Sequence, residues 1–252
     1  DNLAQIAGEK AGIIKSQRPI LLGKNPDVVK QIVEHKSQQV NSTYIYVPDR
    51  VKIEEVTHQG MSQRIRCSIS GQTIDIELPL LGRHQVENFT NVLAALDELG
   101  FRLVESIIQL GLDDMIWQGR MQALQKDPQV LYDVAHNPEG LTRLLESLLE
   151  LGKEDSIIVA AFNARKNIQP MLDLLQTWPG EVIFTVFSGH SAVEKKSLVH
   201  LGVNPDLIES NLVAAYERAL KLKVHDDQVI CFFGSHYLAE SLFPMFENSD
   251  QN

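Results

Sequence analysis

The chain has 252 residues, of which 44% are apolar, enough for one large domain or two ordinary ones with a real core. Its formal net charge of −10 argues against a nucleic-acid surface or an anionic membrane as the main partner, although a locally basic pocket is compatible with it. No apolar run approaches the roughly 18–20 residues of a membrane span and no signal peptide is seen, so a cytoplasmic protein is expected.

The stretch DNLAQIAGEKAGIIK reads as a helix already under way, with apolar spacing at Leu3, Ile6, Ala7 and Ala11, so the chain reads as a fragment that begins inside a domain. RPILLG follows as a short buried strand. PDVVKQIVEHKSQQ returns to helical spacing, with Pro26 near its first turn. TYIYV opens a β-rich stretch. In RIRCSIS and TIDIELPL, Ile65, Cys67, Ile69, Ile74, Ile76 and Leu78 alternate with polar residues around SGQ, which predicts a hairpin. VENFTNVLAALDELG predicts a helix stopped by Gly100.

After Gly119 the texture changes. Four apolar runs, QVLYDVA, SIIVAAF, EVIFTVF and QVICFFG, alternate with helical patterns at 139–151, 167–177 and 211–222, with a last helix at 236–246. Such alternation predicts a mostly parallel sheet covered on both faces, a Rossmann-like α/β domain beginning near residue 117. Cys67 and Cys231 fall inside strand-like runs and read as two buried thiols in a reducing compartment.

Ligands of open parallel sheets bind outside the carboxyl ends of the strands. Three polar clusters fall at such ends: DVAHNP after the run at 130–132, NARKN after 157–162, and GSH after 229–233. The usual phosphate loops, G-x-G-x-x-G and G-x-x-x-x-G-K-[ST], are absent from the sequence, as are paired-Cys and H-E-x-x-H metal spacings. Ser235, His136 and Asp133 make a hydrolase triad on paper only, because Ser235 is not in a G-x-S-x-G elbow.

Five segments, in order, resemble the folylpolyglutamate synthase/dihydrofolate synthase branch of the Mur ligases: LAQIAGEKAGIIK (3–15), LGRHQVENFTNVLAAL (81–96), WQGRMQ (117–122), LYDVAHNPEG (131–140) and FFGSHYLAE (232–240). The resemblance implies the C-terminal part of a Mur-ligase-like ATPase domain at 1–117, followed by a Rossmann-like α/β C-terminal domain at 118–252. It also implies an ATP-dependent ligase that activates a carboxylate as an acyl phosphate, which the amine of L-glutamate then attacks. Dihydropteroate or a reduced folate would be the acceptor, Mg²⁺ would accompany ATP, and family members look monomeric.

By the same resemblance Lys10 is a lysine that becomes carbamylated and so offers oxygen to Mg²⁺; the bland alternative is a surface lysine. Asn88 would read the adenine edge through its amide, or bond a neighbouring loop; His84 and Gln85 are left as structural. Arg120 would bind a triphosphate oxygen, or an interdomain acid. Asp133 would accept from the ribose hydroxyls or hold Arg120. His136 and Asn137 would face the reacting phosphate or the incoming glutamate, with the imidazole helping to deprotonate the amine. Pro138 would open the next helix. Ser235 would bind the glutamate carboxylate at a helix N-terminus, or simply cap that helix.

Two departures stand out. Asn167 replaces an acid after the retained Lys166, and FSGHSAVEKKSL replaces a Pro-Arg-Ala-type segment, which puts amino-acid preference and activity in question. The family's phosphate loop, a magnesium-binding glutamate and a histidine belong before residue 1. The 252 residues alone are therefore expected to be inactive and the parent chain active. The competing reading is a truncated or degenerate relative that binds nucleotide weakly or serves as an interaction module.

Overall fold

In the computed structural model, which describes residues 2–113, 115, 117–164, 167–187 and 192–246, the chain divides into two compact units, Asp1–Pro79 with Arg83–Met115, and Leu80–Gly82 with Ile116–Asn252. The first helix, α1 (Leu3–Lys10), is not already under way at the chain's start as the sequence reading has it. Asn2 caps it: its side chain accepts from the Gln5 amide at 2.9 Å while Gln5 Oε1 accepts from the Asn2 amide at 3.0 Å. A 3₁₀ turn, Ala11–Ile13, ends the segment.

Strand β1 (Ile20–Leu22), helix α2 (Asp27–Gln39) and strand β2 (Tyr44–Tyr46) form a β-α-β unit whose strands pair in parallel, Ile20 opposite Tyr44. A single turn, α3 (Val47–Arg50), leads into an antiparallel sheet of β3 (Val51–Gln59), β4 (Ser62–Ile69) and β5 (Gln72–Leu78). The period-2 alternation does what it predicts: Ile65, Cys67, Ile69, Ile74, Ile76 and Leu78 are all buried. The β4–β5 turn uses Ser70 and Gly71 at φ 50° and 80°, the left-handed pair that suits the strand twist of a two-residue hairpin. Helix α4 (Arg83–Glu98) ends at Gly100, φ 79°, where the Phe101 amide reaches back to the Leu96 carbonyl at 3.0 Å.

Helix α5 (Glu105–Asp113) has no apolar stripe pointing inward; none of its residues is buried. It docks instead by polar bonds along the free edge of β5. Gln109 Oε1 accepts from the Glu77 amide at 2.8 Å, Gln109 Nε2 donates to the Glu77 carbonyl at 3.1 Å, and Glu105 accepts from the Asp75 amide at 2.9 Å. The Gln109 side chain thus does the work of a neighbouring strand and closes an otherwise bare edge.

In the second unit, β6 (Gln122–Gln125), β7 (Val130–Asp133), β8 (Ile157–Ala160), β9 (Val182–Thr185), β10 (Ile208–Glu209) and β11 (Ile230–Phe233) make a sheet in the order β10-β9-β8-β11-β7-β6. All neighbours are parallel except β6, which runs antiparallel at its edge. Helices α6 (Pro138–Glu150), α7 (Gln169–Leu175), α8 (Lys195–His200), α9 (Leu212–Leu222) and α10 (Leu238–Phe246) connect and cover the strands. One face of the sheet, Val130, Tyr132, Ile157, Val159, Ile230 and Phe232, packs on α9 and α10. Every residue of β7, β8 and β11 is buried, so the other face is covered as well, which is why these strands read as unbroken apolar runs.

The free Cys67 and Cys231 are both buried. Among the described residues no helix is long and apolar enough to cross a membrane.

Candidate functional site

Strands β8, β11 and β7 are neighbours in register, with Phe233 opposite both Ala160 and Asp133, so their carboxyl ends share one edge. DVAHNP, GSH and the described Asn163 and Ala164 therefore follow strands that end at that edge, although the 231–236 segment is about a hundred residues from the 131–136 segment. Tyr132 ties the two together: its hydroxyl donates to the Ser235 carbonyl at 2.9 Å. Burial, with the charge of Asp133 second, pushes the Tyr132 phenol up to about 12, so it stays a donor at any physiological pH.

Asp133 is 8% exposed, and both its oxygens are engaged by backbone: Oδ2 accepts from the Met121 amide at 2.9 Å and Oδ1 from the Ala135 amide at 2.8 Å. Burial raises its pKa, against the two amides and the charge of Arg120, which lower it. The bond to Met121 fixes the turn that carries Arg120. That turn is held on further sides, since the Gly119 amide donates to Gln122 Oε1 at 2.9 Å and the Gly119 carbonyl accepts from the Val134 amide at 2.9 Å. Gly119 has φ 69°, and a Cβ there would lie 2.3 Å from Val134 Cγ1, so only glycine fits. Met121 itself sits at φ 44°, a left-handed position held by the Asp133 bond. The Arg120 side chain is exposed on this rigid base.

His136 is partly exposed and its Nδ1 lies 2.9 Å from the Val134 carbonyl. A carbonyl can only accept, so Nδ1 carries the proton and Nε2 of the neutral ring is left as an acceptor. Asn137 caps α6, its Oδ1 accepting from the Gly140 amide at 2.7 Å, and Pro138 is the first-turn proline. Ser235 is 2% exposed and its Oγ accepts from the Tyr237 amide at 3.2 Å, so the capping arrangement is present and the hydroxyl proton is left to donate. Before it, Gly234 at φ 123° lets the backbone pass Ala161, whose carbonyl oxygen would be 2.3 Å from an added Cβ.

A residue not singled out from the sequence joins this set. The ring of His236 lies 5.3 Å from that of His136, tilted by 50°. His236 is exposed; the modest desolvation of its ring first, then the charges of His136 and Arg120, hold its pKa below the usual histidine value. The GSH cluster marked the segment, but nothing in the spacing distinguished this imidazole from a surface one. Of the two departures, Asn167 Oδ1 accepts from the Gln169 amide at 3.4 Å at the start of α7. Lys166 and residues 188–191 lie outside the described residues.

In the first unit, Lys10 ends α1 and is exposed beside an apolar groove of about 300 Å³ lined in part by Leu3, Ile6, Ile13 and Val29. Asn88 is exposed on α4, its Nδ2 donating to Oε1 of the buried Gln85 at 3.0 Å, a bond that does not use its own carbonyl oxygen. Among the described residues, no three His, Cys, Asp or Glu side chains gather to hold a metal ion.

Residues 119–236 match the family model of the Mur ligase glutamate ligase domain. The folylpolyglutamate synthase of Lacticaseibacillus casei is 26% identical over 247 residues, covering 95% of this chain and 56% of its own length. The dihydrofolate synthase/folylpolyglutamate synthase of Bacillus subtilis is 29% identical over 206 residues, covering 79% of this chain and 47% of its own length. Residues 119–236 thus carry a Mur ligase glutamate ligase domain, and the chain as a whole is similar to the folylpolyglutamate synthase/dihydrofolate synthase family. It spans about half the length of the curated relatives it matches. The fold agrees: a Mycobacterium tuberculosis folylpolyglutamate synthase solved with ADP and AMPPCP superposes with a TM-score of 0.85 at 23% identity, covering 98% of this chain and 60% of that one.

Proposed function

We propose that the chain is the C-terminal part of an ATP-dependent ligase that joins L-glutamate to dihydropteroate, to reduced folates, or to both, through an acyl phosphate. Its first unit would be the end of the nucleotide-binding domain and its second the glutamate ligase domain. The observation that carries this reading is the meeting of Arg120, Asp133, His136 and Ser235 at one edge of the sheet, inside the segment that matches the glutamate ligase domain. The relatives' names supply the folate and glutamate substrates, and the complex with ADP and AMPPCP supplies the nucleotide.

The residues divide the work as follows. Arg120, exposed on a turn that cannot shift, offers a forked donor to a phosphate oxygen. Asp133, with both oxygens given to amides, acts through that turn and holds Arg120 in place rather than reaching a ribose. The free Nε2 of His136 accepts from the ammonium of the incoming glutamate and takes its proton as the amine attacks. The Ser235 hydroxyl donates to a glutamate carboxylate oxygen. In the first unit Asn88 offers its carbonyl to the adenine amino group, and Lys10 is the candidate for carbamylation. Magnesium would shield the phosphate charge; no step above runs through it.

The test is phosphate release by the longer protein that contains this chain, with L-glutamate and either dihydropteroate or tetrahydrofolate, beside His136→Ala and Arg120→Ala. Release that needs both substrates and falls by roughly 10²-fold or more in each variant is expected. A folded protein that releases nothing with either acceptor sinks the ligase reading and favours the degenerate relative.

A further inference from the structure

The edge described above carries one group more than the proposed reaction uses. Three segments bring a guanidinium and two imidazoles together: Arg120 from the 119–122 turn, His136 from the loop after β7, and His236 from the loop after β11. The acid beneath them, Asp133, is buried with both oxygens held by amides, so its hydrogen-bonding capacity is spent on backbone rather than on either ring. On neighbouring elements, Glu139 of α6 is paired with Arg143 at 2.7 Å. Glu240 and Tyr237 are the other titratable groups on the segment of His236, both exposed. The loop after β8 contributes Asn163 and Ala164 among the described residues. Among the described residues the charges that act on His236 are those of His136 and Arg120, so with no ligand at the edge a proton on His236 would stand beside them.

A tetrahedral dianion changes the balance. Placed beside His236, its negative charge favours the imidazolium over the neutral ring, because an opposite charge within about 4–6 Å stabilises the protonated form. We propose that His236 is a proton-coupled positioning residue for a tetrahedral dianion held between itself, Arg120 and His136: neutral at the empty edge, it takes one proton from solvent as the anion binds and donates to it. This deepens the ligase reading and rests on it for the identity of the anion, a phosphoryl group. It predicts that the edge binds phosphate-like anions more tightly as pH falls through neutrality, and that the substrate's departure returns the proton.

The test needs no turnover. Imidazole resonances of the full chain are followed by NMR from pH 5 to 8 in chloride, in sulfate and in acetate at equal ionic strength, with His236 assigned by its loss in His236→Gln. Sulfate stays a dianion across this range, so its own titration does not interfere. In sulfate the His236 midpoint rises by about 0.5–1 unit, with little change in acetate. By linkage, sulfate then binds roughly 3–10-fold tighter at the acid end than at the alkaline end, and His236→Gln flattens that dependence. His136→Gln raises the midpoint without any anion, since it removes a neighbouring charge. Sulfate that perturbs His136 but leaves the His236 midpoint in place overturns the coupling and leaves the ligase reading standing. An equal rise in acetate assigns the edge to a carboxylate and overturns the dianion. Sulfate that perturbs neither ring overturns the proposal outright, while the turnover assay decides the ligase reading separately.

Discussion

Removal of the Asp133 carboxylate tests the argument that this residue acts through backbone. Asp133→Ala strands two buried amides, those of Met121 and Ala135, whose hydrogen bonds measure 2.9 and 2.8 Å. Each stranded donor costs about 1–3 kcal/mol, so the gross loss is about 2–6 kcal/mol. Part of it is recovered because an ionised carboxylate no longer has to be buried, the effect that raises its pKa. A net loss of about 2–4 kcal/mol is expected, read from urea unfolding at pH 7. Asp133→Asn keeps one acceptor and loses less. The pH dependence has a definite sign. With its folded pKa above the unfolded value, Asp133 binds more protons in the folded state, so its contribution falls as pH rises through that interval. The gap between the native protein and Asp133→Ala is therefore wider below about pH 4 than at neutrality. A loss under about 0.5 kcal/mol at pH 7 would refute the reasoning, since two stranded amides cannot cost so little. A gap that widens with rising pH would show instead that the charge is stabilised in place.

The other predictions follow from single contacts. Gly234→Ala drives a Cβ against the Ala161 carbonyl and should destabilise the chain, whereas Gly8→Ala inside α1, where nothing lies near the added Cβ, should stabilise it by about 0.5–1 kcal/mol, both measured by thermal unfolding. Asn137→Ala removes the cap of α6 and should cost about 1 kcal/mol, with Asn137→Ser recovering most of it. Burial pushes the Cys67 thiol up to about 11 and Cys231 further still, so neither should react with Ellman's reagent at pH 8 until the chain is unfolded.

What was legible in the sequence and what was not divides along physical lines. The apolar runs around Val130, Ile157, Ile183 and Ile230 announced themselves because a doubly covered parallel strand has no polar face to interrupt it. The β4–β5 hairpin was equally plain, because one face is core and the turn needs Gly71. Elements held by other means left no signal. Strand β3 buries only Val51, so it has no alternation to read. Helix α5 attaches through Gln109 and Glu105 and buries nothing, and β6 and β10 are short edges. The capping of α1 turned on reading Asn2 with Gln5 as a reciprocal pair rather than as helix interior. At the site, Asp133 and His136 stood out by residue type and position, and Arg120 only through the resemblance of its segment to a family linker. The use of both Asp133 oxygens on backbone, the left-handed Met121 and the approach of His236 depend on which strands lie side by side, and sequence spacing does not carry that.

That strand order has a consequence for how the chain is made. Strand β11 is the last of the described strands to leave the ribosome, yet it lies at the centre of the sheet with β7 on one side and β8 on the other. Until it emerges, the edges of β7 and β8 that will face it have no partner, although every residue of both strands is buried in the folded chain. The nascent second unit must keep these two edges from pairing with each other or with another chain through the synthesis of nearly seventy residues, from Ala161 to Val229. The same late insertion means that Asp133, His136 and Ser235 first come together only after β11 has been made. Release of a chain stopped before β11 would leave an adhesive intermediate rather than a weak enzyme.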